Sequence, residues 1–353
     1  MSPSILDQPF VIGSVLTPVG AVPTVSHELT ASDLWGTVRV RLGFRRMRYT
    51  VVPGLYALGK PDDKSSVLVT ANYKLSFDSL RSSLRGRDVW ILVLDTNGVN
   101  VWCAAGKGTF STAEIVERIE SSGLNKIVSH RQLIVPQLAG PGVAAHEVKK
   151  LSGFKVTYGP IRSEDLPAFL DAGFKASPQM RLKTFSSWER IVLIPVELVP
   201  ALKHAGLIIL GFLGVAGLVG PGSYWTNVTT HGLPAAWALL GAVLAGAVLT
   251  PVLLPWLPGR AFSVKGAVVG LVVAAMMILL QGLGGAGGTT AAEKLAWLLM
   301  ITAVAAYFAM NFTGASTYTS LSGVKKEMRW AVPVQIATAC AGIFLWVGSL
   351  LMA

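Results

Sequence analysis

A chain of 353 residues with 52% hydrophobic and 14% charged side chains and a mean hydropathy of +0.55 is neither a disordered chain nor an ordinary soluble domain. Its charges are unevenly divided: residues 1–199 hold 23 Lys and Arg and 17 Asp and Glu, residues 200–353 only 7 and 2. A water-soluble half therefore precedes a lipid-soluble half. The net charge of +11 splits as +6 and +5 with no dense Lys/Arg block, so nucleic acid is excluded as a partner. Cys103 and Cys340 lie in different halves, which points to neither a disulfide framework nor a CxxC metal or iron–sulfur site.

Taken in chain order, residues 1–60 read as an N-terminal extension. Asp7 and four prolines in the first 23 residues stand where a signal peptide would carry its basic and apolar regions, so a cytoplasmic soluble half is expected. Within the extension, Val38 to Val52 alternates as Val38, Arg39, Val40, Arg41, Leu42 and contains Arg45, Arg46 and Arg48. That pattern predicts an edge strand or hairpin with a basic face, either solvated or contacting an anion.

Residues 61–185 alternate short β-branched runs with amphipathic stretches. The strand–helix pairs are Ser66–Thr70 with Phe77–Leu84, Val89–Asp95 with Thr112–Ser121, Gln132–Pro136 with Ala144–Leu151, and Lys155–Tyr158 with Glu164–Ala172. Such alternation predicts a mostly parallel, doubly wound α/β sheet, whose ligands bind beyond the carboxyl ends of the strands. The connection Thr96–Ser111 after the apolar strand at Val89 is long for its kind, and long loops in compact domains are usually functional. Gly106 and Lys107 do not make a P-loop, because Gly98 is too far upstream and Gly108 stands where Ser or Thr would bind magnesium. Cys103, among Val101, Trp102, Ala104 and Ala105, reads equally well as a buried apolar cysteine or as a functional thiol presented among small residues. His130 and His146 are too far apart for a helical metal pair and read as surface or packing residues.

A linker at residues 186–199 leads into an all-α transmembrane domain, residues 200–353. Apolar runs near 200–219, 234–257, 262–283, 293–311 and 330–352 each have the length of about 20 residues needed to cross a bilayer. Lys and Arg gather before the first run (Arg181, Lys183, Arg190, with Lys203 able to snorkel), in the second loop (Arg260, Lys265) and in the fourth (Lys325, Lys326, Arg329), whereas the loop Pro221–Leu233 has none. By the positive-inside rule this predicts a multi-pass inner-membrane protein with its N-terminal domain in the cytoplasm and its C-terminus outside. The run interiors carry no Asp or Glu, so no proton relay is visible. Gly266 and Gly270 predict close helix packing within the bundle, Gly282–Gly288 a flexible outside loop, and Cys340 an apolar filler.

The octapeptide Asn100, Val101, Trp102, Cys103, Ala104, Ala105, Gly106, Lys107 closely resembles the signature of the HgcA family of mercury-methylating corrinoid proteins. The resemblance extends through Val67–Lys74, Leu133–Val143, Tyr158–Pro160 and Asn311–Met328 and covers most of the chain from about residue 35. More distantly, the soluble half is similar to the corrinoid-binding domain of the corrinoid iron–sulfur proteins of acetyl-CoA synthesis, without their cluster-binding cysteine motif. The resemblance implies a Rossmann-like corrinoid-binding domain in which Cys103 sits on a cap helix and ligates cobalt from the lower face. It further implies transfer of a methyl group from the Cys-ligated methyl-Co(III) corrinoid to inorganic Hg(II). Asn100, Val101, Trp102, Ala104, Ala105, Gly106 and Lys107 would form the cap helix; Thr70, Asn72, Gln137, Gly140 and Gly142 would line the cavity. With no iron–sulfur cluster expected in this chain, electrons would come from a ferredoxin-like 4Fe–4S partner, HgcB, and the methyl group from a folate-linked methyltransferase. The loop Thr313–Arg329 would face that partner or the soluble domain. Alternatives are the same corrinoid chemistry on another one-carbon acceptor, and a membrane transporter or receptor with a regulatory α/β domain.

Overall fold

The computed structural model describes residues 4–283, 290–312 and 321–352. Two compact units make up the chain: Met1–Val40 with Phe44–Lys183, and Thr184–Ala353 with the short segment Arg41–Gly43.

The first unit is a seven-stranded mixed sheet in the order β1-β2-β3-β5-β4-β6-β7. Its strands are β1 (Val11–Thr17), β2 (Gly20–Val25), β3 (Gly54–Leu58), β4 (Val67–Ala71), β5 (Val89–Leu94), β6 (Gln132–Val135) and β7 (Lys155–Tyr158). The helices are α1 (Ala31–Arg41), α2 (Lys74–Ser83), α3 (Val101–Lys107), α4 (Thr112–Ser121), α5 (Ala145–Ser152) and α6 (Leu166–Asp171). β4 pairs in parallel with both β5 and β6, and β6 with β7, as the βα alternation predicts.

Strand periodicity assigns alternate residues to opposite faces. Val67, Val69, Leu92 and Leu94 pack with Ile115 and Ile119 of α4 and Val148 of α5. Leu68, Ile91 and Val93 pack with Phe77 and Leu80 of α2 and Leu166 and Phe169 of α6. All six residues of β5 are buried, as a central strand covered on both sides requires. Because the connection after β4 descends one face and that after β5 the other, the carboxyl ends of these neighbours diverge into the crevice where open α/β sheets bind ligands.

Residues before position 60 are no extension. They supply β1, β2 and β3, and β3 runs antiparallel to β5. The predicted edge strand at Val38–Val52 is wrong: its first part lies in helix α1, and Arg46–Arg48 form a single 3-10 turn. The cause is a reciprocal cap. Thr30 Oγ1 accepts from the Asp33 amide at 3.2 Å, and Asp33 Oδ2 accepts from the Thr30 amide at 3.0 Å, which launches a helix through residues whose short alternation suits either structure.

Asp33 also anchors a buried ionic network. Lys74 Nζ lies 2.5 Å from Asp33 and 2.7 Å from Asp78, while Arg81 reaches Asp33 and Asp78 at 2.8 Å each and donates to the carbonyls of Ser26 and Glu28. Burial opposes the Asp33 charge, but hydrogen bonds from Lys74, Thr30 and Arg81 outweigh it and hold the carboxyl well below the usual range. The ring of Tyr49 lies 5.3 Å from Lys74 Nζ, and burial beside Asp78 and Asp33 pushes its phenol up to about 12.

The second unit contains five helices long and apolar enough to cross a membrane by length and composition: Ser187–Val219, Tyr224–Leu253, Phe262–Gly282, Ala291–Asn311 and Gly323–Met352, here spans one to five. The first begins inside the predicted linker, where Ser186 and Glu189 form a capping box. Hydropathy placed its start later because Glu189, Arg190 and Glu197 dilute the apolar signal, although Arg190 is buried and donates to the carbonyls of Phe185 and Val252. Gly266 and Gly270 sit against span four, where an added Cβ would lie 2.4 Å from Ala309 Cβ and 2.9 Å from Ala305 Cβ. That is the predicted close packing within the bundle. Cys340 is exposed on its helix and fills no gap, contrary to expectation. Among the described residues two acidic groups do lie inside: Glu293, at the start of span four, is buried 3.4 Å from His231, and Glu327, near the start of span five, is buried and accepts from the Ser263 amide at 2.6 Å. Most of Gly282–Gly288, the first part of Thr313–Arg329 and the matching part of the resemblance lie outside the described residues.

The ionic network gives a stability test. Lys74→Met leaves two buried carboxylates facing one guanidinium and should cost about 3–5 kcal/mol. Arg87→Met, which removes the exposed pair with Asp171, should cost far less, because solvent screens that pair. Denaturant unfolding of the full chain compares them. Since Asp33 is held below its unfolded value, its stabilisation is present above about pH 4 and is lost as pH falls further; the Lys74→Met chain should lose less on acidification than the wild type.

Candidate functional site

The site is assembled at the carboxyl ends of three adjacent strands, β5, β4 and β6. Asn72, directly after β4 and 5% exposed, joins two of them. Its Oδ1 accepts from the amides of Thr96 at 3.1 Å and Gly98 at 3.0 Å and from the Thr96 hydroxyl at 2.8 Å, while its Nδ2 donates to Asp95 at 3.1 Å. The segment after β5 is thereby bound into a tight left-handed turn, with Asn97 at φ 54° and Gly98 at φ 70°. Gly98 is required twice over, because a Cβ there would also lie 2.8 Å from the Met47 carbonyl.

That turn delivers Asn100 as the N-cap of α3, its Oδ1 accepting from the Cys103 amide at 2.9 Å. Gly108 closes the helix in the left-handed conformation, φ 82°, with its amide on the Ala104 and Ala105 carbonyls. Ala104 and Ala105 are buried against the sheet, Val101 packs on the same core, and Trp102, Gly106 and Lys107 face outward. Cys103 is half-buried, with a free thiol. The long connection predicted after β5 is thus a capped seven-residue helix held on small side chains.

The segment after β6 approaches α3 from the other side. A Cβ on Gly142 would lie 2.2 Å from the Phe110 carbonyl and 3.0 Å from Ala105 Cα, so only glycine permits this contact. By contrast, a Cβ on Gly106 or Gly140 would meet nothing within 4 Å, and neither residue has a positive φ. The chain's own packing does not explain those two glycines. Gln137 is half-buried and accepts from the Arg181 guanidinium. The Tyr158 hydroxyl donates to the Val143 carbonyl at 2.6 Å, its phenol pushed up by burial, and the Ala144 amide donates to Thr112 Oγ1 at 2.9 Å.

The structure therefore brings Thr70, Asn72, residues 100–107 and Gln137 to Gly142 to one edge of the sheet. Two of them differ from expectation. Thr70, 3% exposed, and Asn72 are buried, and Asn72 is tied at both ends of its amide, so it shapes the loop instead of facing a cavity. Asp95, Thr96 and Thr112 are not singled out by sequence, and Arg181 reads only as a loop charge; the site partners of all four, Asn72, Ala144 and Gln137, are distant in the chain, and no local pattern marks them. Among the described residues no three His, Cys, Asp or Glu side chains gather as metal ligands, so Cys103 stands as a single soft donor. His130 is structural, its ring bound to the Ser65 carbonyl and the Gln132 amide.

Comparison with known proteins bears on the same segment. Residues 45–170 match the family described as CO dehydrogenase/acetyl-CoA synthase delta subunit. The acetyl-CoA decarbonylase/synthase complex subunit gamma of Methanopyrus kandleri is 36% identical over 123 residues, 34% of this chain and 26% of the relative. Its counterpart in Methanothermobacter thermautotrophicus is 31% identical over 152 residues, 40% of this chain and 32% of the relative. The chain thus spans about a quarter to a third of the length of these curated relatives. These matches support the relation to proteins of acetyl-CoA synthesis that the sequence resemblance indicates for the soluble half.

The cap makes a local prediction. Asn100→Ala should weaken α3 by about 1 kcal/mol, read as faster hydrogen exchange at the Cys103 amide with exchange in β5 unchanged. Gly142→Ala should push the turn off α3 and accelerate exchange at Ala104 and Ala105 as well.

Proposed function

We propose that the α/β unit binds a corrinoid over α3, with Cys103 as lower axial ligand to cobalt, and serves as a methyl carrier that methylates inorganic Hg(II). The observation that carries this reading is the outward face of α3. A half-buried free thiol is flanked by Gly106, and a glycine inside a helix costs about 1 kcal/mol relative to alanine. Among the described residues no atom requires that glycine, whereas a broad, flat ligand lying against the helix would. Gly140, on the neighbouring turn, offers a second unobstructed backbone surface. The residues present fit the group.

When bound, the corrinoid supplies a cobalt-borne methyl group able to depart towards an electrophile. Cys103 would hold the cobalt through a strongly donating sulfur, which would favour methyl transfer to a thiophilic electrophile such as Hg(II). Asn100 fixes the amide of Cys103, Ala104 and Ala105 seat the helix on the sheet, and Gly142 allows the turn after β6 to brace it. Lys107, exposed at the helix end, is placed to meet a ligand's polar periphery. Electrons come from a ferredoxin-like 4Fe–4S protein of the HgcB type, and methyl groups from a folate-linked methyltransferase. The five apolar helices hold the chain in the inner membrane, with the α/β unit on the cytoplasmic, Lys/Arg-rich side. The relatives from acetyl-CoA-forming complexes favour a second reading, in which the same carrier serves another one-carbon acceptor.

The test is the visible absorption spectrum of the purified full chain loaded anaerobically with cobalamin. Wild type should show a base-off, sulfur-ligated spectrum and methylate Hg(II); Cys103→Ala should lose both while unfolding at the same denaturant concentration. Identical spectra in the two proteins would refute cysteine ligation, and a sulfur-ligated carrier inert towards Hg(II) would move the assignment to the second acceptor class.

A further inference from the structure

The helical unit contains a cavity of about 590 Å³ between spans one, two, four and five, within the size range of sites for drug-sized ligands. Most of its wall is apolar, but Gln335 of span five lines it. Gln335 is 8% exposed, and among the described residues neither its amide nitrogen nor its amide oxygen has a hydrogen-bond partner. Leaving a buried polar group unsatisfied costs about 1–3 kcal/mol, and Gln335 carries two. The tightly packed helices elsewhere in the bundle, where glycines admit backbones to contact distance, show that this sequence closes gaps when it is built to.

Three features define what would occupy the cavity. First, a second apolar cavity of about 150 Å³, lined by Phe212, Trp297 and Met300, shares Ile208, Leu239, Val304 and Ala339 with the larger one, so a mostly apolar chamber that holds Gln335 adjoins a smaller, wholly apolar one. Second, Ile208 and Ile336 line the larger cavity while 48% and 58% exposed, which places its opening on the apolar flank of the bundle. Third, its wall includes Glu197, and His204 with its ring bound to the Pro200 carbonyl, but no Lys or Arg, so an anionic head would find no permanent positive charge there. From these features we propose that the cavity binds a neutral, single-chain lipid with a hydroxyl head: the hydroxyl pairs with the donor and acceptor of Gln335, and the chain extends towards Trp297.

This site is independent of corrinoid binding, and its test does not use methyl transfer. The full chain, held in phosphatidylcholine nanodiscs, is titrated with radiolabelled monolauroylglycerol and, separately, with laurate. Wild type should bind monolauroylglycerol saturably at one per chain and gain thermal stability from it, with laurate at least tenfold weaker. Gln335→Leu should weaken monolauroylglycerol binding at least tenfold. Because this substitution removes unpartnered polar atoms, its own melting temperature should equal or exceed that of the wild type. Ala339→Leu, which fills the junction of the two chambers, should also reduce binding. Unsaturable binding to wild type, equal binding to Gln335→Leu, or laurate binding as tightly as the neutral lipid would each overturn the proposal.

Discussion

The carboxamide of Asn72 is the constraint on which the site depends. Two neighbouring strands end where their connections diverge to opposite faces of the sheet, and nothing in strand pairing holds the departing segments in register. One side chain accepts from Thr96 and Gly98 and donates to Asp95, joining the end of β4 to the turn after β5. The turn then fixes where Asn100 stands, and Asn100 fixes where α3 begins. The position of Cys103 is thus set by a chain of hydrogen bonds that starts one strand away.

Helix α3 depends on its surroundings more than most. Seven residues are too few for a helix to persist by its own propensity, and Gly106 lowers that propensity further. What holds it is external: caps at both ends, two alanines against the sheet, and the close approach of Gly142. The same small residues that bring backbone close to backbone leave the outward face low and open beside the thiol. A larger, self-sufficient helix would present the sulfur at the end of a crowded surface. The ionic network under α2 has a comparable role for the rest of the unit, binding α1 and the segment after β2 to the sheet's other face through four buried charges.

Much of this was legible in the sequence. Apart from α3, which periodicity leaves inside a long connection, the strands and main helices from Val67 to Asp171 follow from hydrophobic period, because both faces of the central strands are covered and the helices have one apolar side. The five apolar helices follow from length and hydropathy, and the octapeptide around Cys103 falls on the connection after β5 that its length already marks. The N-terminal region was not legible. Strand β1 is exposed or half-buried along its whole length, so it shows no inside–outside alternation, and β3 is a five-residue strand whose only signal is burial in the finished sheet. Val38 to Leu42 alternated like a strand over a span too short to decide, while the Thr30–Asp33 cap decided it. Asn72 looked like a cavity residue because it follows a strand; its true partners lie more than twenty residues away. Lys74 and Asp33, like His231 and Glu293, pair across 41 and 62 positions, separations over which single-sequence patterns carry no information.

Corrinoid-based methyl transfer by this chain requires sulfur to meet cobalt at one residue, Cys103. Cobalt K-edge X-ray absorption of the full chain loaded with cobalamin measures that contact directly. Ligation by Cys103 gives a cobalt–sulfur scattering path in the wild type that disappears in Cys103→Ala, with the remaining nitrogen shell unchanged. An axial nitrogen or oxygen in the wild type, or a sulfur path that survives the substitution, would contradict it.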